Sequence, residues 1–354
     1  MSGATMPCAA CTWSLGTSLH PVCHRHPAAT SWPRCIAGAV CRNTMHSTCG
    51  KRMADEVRCR SCGGDGLVDL GPIPGSQDER VSVQAHLYRC PHCALGQRHP
   101  IPDAVGIAAL YADAKPEEMA YVYEDNAAWA LARNMLVKRL VAVESPSVLD
   151  VGCHTGRFLA GLPKAWRRFG VENPGPPADA ARRDNRVEII ADWIETVGGE
   201  WDARFDAVTL FDVIEHVPDP ATAIGRLARL LKPGGVLIVS SGDLDAWTWR
   251  WLGAGHWYLQ TPQHLSVISR GFLRHVAVER GLRLREFQTI PHRHAPRTQD
   301  AARLAYWGMR QRGGLWRSPQ RLLHALPGLH GLRHMQSVPW AMSLRDHCVA
   351  VFEV

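Results

Sequence analysis

The sequence predicts an α/β protein: a doubly wound, mostly parallel sheet of seven strands, preceded by a small four-cysteine module and carrying a helical insertion near its C-terminus. Three observations predict it. From Ser145 onward, short apolar segments of strand length alternate with helical segments. Near-continuous apolar strands separated by helices describe a parallel sheet covered on both faces. Two Cys-x-x-Cys pairs, Cys59/Cys62 and Cys90/Cys93, lie ahead of that region among short strand-like stretches. The excess of basic over acidic residues gathers in two blocks outside the alternating region.

The 354 residues, 46% hydrophobic and 21% charged, suit a globular chain of about two domains and exclude a collagen-like or wholly disordered one. No apolar run approaches the roughly 18 residues of a membrane-spanning helix. The net charge of +7 conceals an asymmetry. Residues 1–52 carry +5 and no acid, residues 293–335 carry +7, and the remainder is left at −5. A mildly acidic body argues against a protein shaped as a whole for nucleic acid.

The elements follow in order. Residues 1–52, with six cysteines and no periodicity, read as a disordered extension or as sequence upstream of a start at Met53. A transit peptide, or a metal-binding tail using Cys8, Cys11, His20, His24 and His26, are the alternatives. With no apolar signal segment at the start, a reducing, cytoplasmic setting is expected. Residues 53–102 read as hairpins around the cysteine pairs, and 103–144 as a helical lid or linker. Within 145–354 the strands are expected at 148–151, 168–172, 187–190, 205–211, 236–240, 282–290 and 347–353. Helices are expected from about Thr155, over 220–231 and over 269–279, the second stopped by Lys232-Pro233-Gly234-Gly235. Residues 292–344 read as an insertion between the last two strands.

The chemistry concentrates at the end of the first of these strands. Asp150-Val151-Gly152-Cys153-His154-Thr155-Gly156 occupies the place where open α/β sheets bind ligands. It is neither a Gly-x-Gly-x-x-Gly fingerprint nor a phosphate loop. Gly152 and Gly156 let backbone approach a bulky ligand. Glu172, twenty residues past Gly152, is placed to accept both hydroxyls of a ribose. Asp192, just after the third strand, is placed to accept from an adenine amino group, with Trp193 beside the ring. Cys153 and His154 contribute backbone rather than a nucleophile. The four paired cysteines suit a closed tetrahedral zinc site, although the 27 residues between the pairs exceed the usual spacing.

Taken together, these segments resemble the class I S-adenosylmethionine-dependent methyltransferases. The first motif is similar at 148–156, the acidic strand end at Gly170-Val171-Glu172, and the fourth strand at Phe205-Asp206-Ala207-Val208 with Asp212-Val213-Ile214-Glu215-His216-Val217-Pro218-Asp219-Pro220. The turn into strand five is similar at Leu230-Leu231-Lys232-Pro233-Gly234-Gly235. Thr261-Pro262-Gln263-His264-Leu265-Ser266 resembles a segment of one bacterial branch. The cysteine module is similar to the zinc ribbon that precedes some bacterial members. The resemblance implies a Rossmann-like fold and methyl transfer from S-adenosylmethionine to a small-molecule acceptor, by analogy a sugar or secondary metabolite. It implies cofactor contacts from Asp150, Gly152, Cys153, His154, Thr155, Gly156, Glu172, Asp192, Trp193 and Asp212, and structural zinc on Cys59, Cys62, Cys90 and Cys93. His216 and His264 are the candidate bases. Asp212, Glu215 and His216 also have the spacing of a divalent-metal site found in some related O-methyltransferases.

Two features stay open. The aromatic run Trp247, Trp249, Trp251, Trp257 and Tyr258 reads either as a substrate wall or as packing. The arginines and aromatics of 292–344 read as a solvated helical cap, or as a surface for membrane, phosphorylated substrate or RNA. The rival functions are an RNA-modifying methyltransferase and a non-catalytic, cofactor-binding regulator.

Overall fold

The computed structural model describes residues 57–74, 84–103, 105–107, 126–293, 298–312, 314–326, 330–335 and 344–354. The expectations for residues 1–52, for the part of the hairpin region at 75–83 and for most of the helical segment before Asn126 lie outside the described residues.

The seven-stranded sheet forms as expected. Its strands are β4 (Ser147–Val151), β5 (Arg167–Val171), β6 (Glu188–Ala191), β7 (Phe205–Phe211), β8 (Leu231–Gly242), β10 (Arg283–Pro291) and β11 (Arg345–Glu353). Their order is β10-β11-β8-β7-β4-β5-β6. β4, β5, β6, β7 and β8 run parallel, and β11 pairs antiparallel with both β8 and β10. β4 carries no exposed residue, because both of its faces are covered. From β4 the chain winds outward to β5 and β6, then returns to β7 on the other side. The switch point therefore falls between the carboxyl ends of β4 and β7, where this architecture opens a crevice. β8 is longer than expected: it starts at Leu231, which pairs with Phe205 before Lys232-Pro233-Gly234-Gly235 breaks the register.

Local chemistry sets the helices. Before α1 (Ala127–Arg139), Asn126 accepts the Trp129 N–H at 3.1 Å. Ahead of the helix Pro220–Arg229, the Asp219 carboxylate accepts from Ala221 and Thr222, with Pro220 at the first turn. The Ser269 hydroxyl caps Arg270–Glu279 through Phe272 N–H at 3.0 Å. Each such cap stabilises its helix by about 1 kcal/mol. The long helix of the insertion spans Thr298–Arg312 and is followed by a second, Arg317–Ala325.

The cysteine module is a three-stranded antiparallel unit: β1 (Val68–Pro72), β2 (His86–Arg89) and β3 (Gly96–His99). It is fastened to the larger sheet's connections. β3 pairs with β9 (Ser266–Val267), and Arg89 meets Asp245 at 2.7 Å. Arg98, only 2% exposed, donates to the carbonyls of Leu259, Thr261 and His264. Arg60 donates to the Leu265 carbonyl. A planar guanidinium with five donors suits such a cluster of carbonyls.

The aromatic run resolves as packing. Trp249, Trp257 and Tyr258 are buried in one cluster with Ile73, Ala85 and Leu87 of the module and Leu304 of the insertion, whereas Trp247 is 49% exposed. In the insertion, Arg312 lies over the Trp251 ring at 3.8 Å and Arg310 over Trp307 at 5.4 Å. Both arginines are exposed, so these pairs lie on the solvent side of the helix, in keeping with a solvated helical cap.

Candidate active site and cysteine cluster

Behind β4 the chain turns sharply. Gly152 and Gly156 have φ of +70° and +74°, and His154 between them has +48°. At Gly152 a Cβ would stand 2.4 Å from a Val213 methyl of the loop after β7. The two loops of the switch point thus touch at a residue without a side chain. The turn is closed by Gly152 N–H and Cys153 N–H donating to the Val171 carbonyl. Glu172 accepts the His154 N–H at 2.7 Å, which ties the turn to the end of β5. Burial raises the Glu172 carboxyl, and the amides of His154 and Asn173 pull it back.

Asp150 lies beneath the turn, 3% exposed, and accepts from the Thr209 hydroxyl at 2.7 Å. Burial pushes its carboxyl up to about 7, opposed by that hydrogen bond. The folded state therefore holds a proton that the unfolded chain releases near pH 4, so this residue's contribution falls as pH rises through 7. Asp150→Asn is expected to gain stability relative to wild type as pH rises from 4 to 8, in thermal unfolding at stepped pH. A difference independent of pH would contradict the assignment.

The remaining cofactor candidates lie in the turn itself or directly after β6. Thr155 gives its carbonyl to the Asn185 amide at 2.7 Å, and the buried Cys153 thiol is pushed up by burial and then by Asp150, so it is no nucleophile at neutral pH. Asp192 is exposed and Trp193 is 51% exposed, both directly after β6.

After β7 the structure divides the candidates Asp212, Glu215 and His216 into two groups. Asp212, at φ +53°, meets His292 at 3.1 Å. Burial alone would raise it, yet the His292 charge holds it down to about 2. Glu215 is fully buried and turns elsewhere, accepting from Tyr258 Oη at 2.6 Å and Ser241 Oγ at 2.9 Å. Burial, then the Asp212 charge, pushes it up to about 7. His216 and His264 stand edge to face, ring centres 4.9 Å apart, each with Nε2 4.0 Å from Glu215. Their Nδ1 atoms lie 3.1 Å and 2.7 Å from the carbonyls of Gln263 and Tyr258. Burial lowers His216 to about 4 and His264 well below its usual value. Both are neutral at pH 7, so the 4.0 Å approaches are not ion pairs, and Nδ1–H donation leaves Nε2 the basic atom. Reading the sequence for motifs missed Ser241, His292, Asp346 and His347, and had Tyr258 only as part of the aromatic run. The missed residues come from three distant stretches and enter no local pattern.

In the cysteine module the two pairs make matching turns. Gly63 N–H donates to the Cys59 carbonyl and Cys59 N–H to Gly64, while Ala94 N–H donates to Cys90 and Cys90 N–H to Leu95. The Sγ atoms of Cys59 and Cys93 are 3.5 Å apart, and those of Cys62 and Cys90 are 3.6 Å apart. These are reduced thiols, all four within 4.8 Å of one another. Zinc–sulfur bonds of about 2.3 Å put tetrahedral ligands about 3.8 Å apart, so the four fit zinc. Hydrogen bonding from Cys93 draws Cys59 down to about 5, while the same contact raises Cys93 and burial raises Cys62 to about 11, so the four do not all ionise without a cation among them.

Residues 121–286 match the family described as a methyltransferase domain. Over 151 residues, 40% of this chain, the sequence is 32% identical to a ubiquinone biosynthesis O-methyltransferase of Proteus mirabilis, covering 58% of that protein. Over 108 residues, 29% of this chain, it is 36% identical to the protein of the same name from Alkalilimnicola ehrlichii, covering 44% of it. The chain thus spans about half the length of these relatives. A solved Haloferax volcanii complex between the Trm112 methyltransferase activator and a methyltransferase aligns with TM-score 0.43 and 16% identity, over 70% of this chain and 96% of that one. With the sheet order and the glycine turn described above, residues 121–286 are similar to a methyltransferase domain.

Proposed function

We propose that the protein transfers a methyl group from S-adenosylmethionine to a small-molecule acceptor. The observation that carries this is the left-handed Gly152–Gly156 turn at the switch point, tied to a half-buried Glu172 at the end of the neighbouring strand. Bound there, S-adenosylmethionine supplies a methyl group already activated by its sulfonium. Glu172 would take the ribose hydroxyls, the Gly152–Gly156 backbone would face the amino-acid end, and Asp192 and Trp193 would flank the adenine from the rim. Asp150 supports the turn from below. Holding donor and acceptor in line lowers the barrier by roughly 7–11 kcal/mol.

The relatives named above are O-methyltransferases, and an oxygen acceptor needs its proton removed. His216 and His264 are the bases of this reading, both unprotonated at neutral pH. Isotopically labelled methyl donor, incubated with the full chain and cell extract, is expected to label a small molecule, and Glu172→Gln is expected to abolish the transfer. Label appearing on RNA, or on nothing, would overturn the reading.

The four cysteines are read as a zinc site whose closed sphere leaves no position for catalysis. Zinc would hold the module together and, through Arg98 and Arg60, keep the 259–265 segment in place. Cys90→Ser is expected to lose one zinc per chain and several degrees of melting temperature. Unchanged metal content would contradict this.

A further inference from the structure

The strands β10 and β11 bring together two histidines that flank the insertion. Ile290 pairs with His347, so His292 lies just beyond it, and their rings stand 4.6 Å apart. Asp212 joins them from the end of β7, its Oδ2 3.1 Å from His292 Nε2. One ligand atom from each of the three lies within 4.8 Å of those of the others.

We propose that Asp212, His292 and His347 form a binding site for a divalent first-row transition-metal ion, distinct from the cysteine cluster. Four observations carry it. First, Asp212 Oδ1 and His347 Nε2 are both buried without a hydrogen-bond partner, beside the His292 Nε2 that faces Asp212. Buried polar atoms are satisfied in the great majority of cases, so two orphaned atoms in one such group point to a ligand. Second, His347, 1% exposed, has Nδ1 2.9 Å from Asp346 Oδ1. The other Asp346 oxygen accepts from Trp257 Nε1 at 3.1 Å. A carboxylate behind an imidazole fixes its tautomer and points a lone pair from the opposite nitrogen, the arrangement that supports metal-ligating histidines. Third, Asp212 adopts a positive φ, a conformation uncommon outside glycine and one that gathers at ligand sites. Fourth, the neighbouring trio of Glu215, His216 and His264 shows the contrast. Both Glu215 oxygens are taken by Tyr258 and Ser241, and both Nδ1 atoms face carbonyls.

Two imidazoles and one carboxylate select zinc, iron, cobalt or nickel over magnesium or calcium, which prefer oxygen. Three protein ligands leave at least one position open, as catalytic rather than structural sites do. The site does not depend on the methyl-transfer reading, because metal uptake is measured without activity.

The test uses the full chain, stripped with chelator and reloaded with cobalt(II). Wild type is expected to take up one more equivalent than His347→Gln. The difference spectrum should show visible d–d bands without the near-ultraviolet sulfur-to-cobalt transition that marks the cysteine site. Asp346→Asn is expected to weaken that equivalent about 10–100-fold without removing it. Should His347→Gln fail to fold, Asp212→Asn carries the same comparison, since asparagine tolerates positive φ. Equal cobalt uptake with superposable spectra in wild type and variant overturns the proposal, as does a lost equivalent with a thiolate signature.

Discussion

Arg98→Ala will lower folding stability by on the order of 3–5 kcal/mol, because it strands more than one buried acceptor. The guanidinium is almost wholly enclosed, and its partners are the carbonyls of Leu259, Thr261 and His264. Those carbonyls belong to an irregular stretch without a ladder: Thr261 also accepts the His264 N–H, whereas the Leu259 and His264 carbonyls rely on the guanidinium. Each acceptor left dry costs about 1–3 kcal/mol. Burial, then the Arg60 charge, lowers Arg98 only to about 10, so it stays charged at neutral pH. Arg98→Lys keeps the charge but not the fork, and is expected to recover less than half of the loss. Denaturant unfolding checks both. The same stretch carries His264, so variants that still fold are expected to lose turnover more than cofactor affinity. A loss under about 1 kcal/mol in Arg98→Ala would mean that the segment is held by something else.

Glu172→Gln will reduce affinity for the adenosyl cofactor by on the order of 100-fold or more. Hydrogen bonds to a charged acceptor are each worth about 1.5–3 kcal/mol, and the ribose offers two. Glutamine retains one carbonyl oxygen for the His154 N–H, so the turn is expected to survive. Removing a half-buried charge also relieves a desolvation penalty, since burial is what raises this carboxyl. The variant should therefore melt no lower than wild type while binding weakly. Parallel loss of stability and affinity would instead make Glu172 a brace of the turn.

The sheet is legible in the sequence because buried parallel strands are written as apolar runs: 205–211 is found without shift, and the others lie within a residue or two except β8. That strand's early start escapes reading because Lys232-Pro233-Gly234-Gly235 carries a turn signal while Leu231 already pairs with Phe205. The glycine turn and Glu172 are legible for a related reason: a tight turn and a ligand acid lie at fixed spacing along one βαβ unit. The two metal-capable groups differ instructively. The cysteines announce themselves by local pairs, whereas Asp212, His292 and His347 meet only through antiparallel pairing across an insertion. One signal was available: a histidine stands at each end of that insertion. The aromatic run stayed ambiguous because a buried wall and a pocket wall share one composition. Only the packing of Trp249 and Trp257 against Ile73 and Leu87 separates them.

Titration calorimetry of the full-length chain with S-adenosylhomocysteine tests the cofactor site most directly. A single saturable site, abolished or weakened at least 100-fold by Glu172→Gln, is the result expected from a crevice at the β4–β7 switch point. No heat of binding from folded wild type, or an isotherm that Glu172→Gln leaves unaltered, would contradict it.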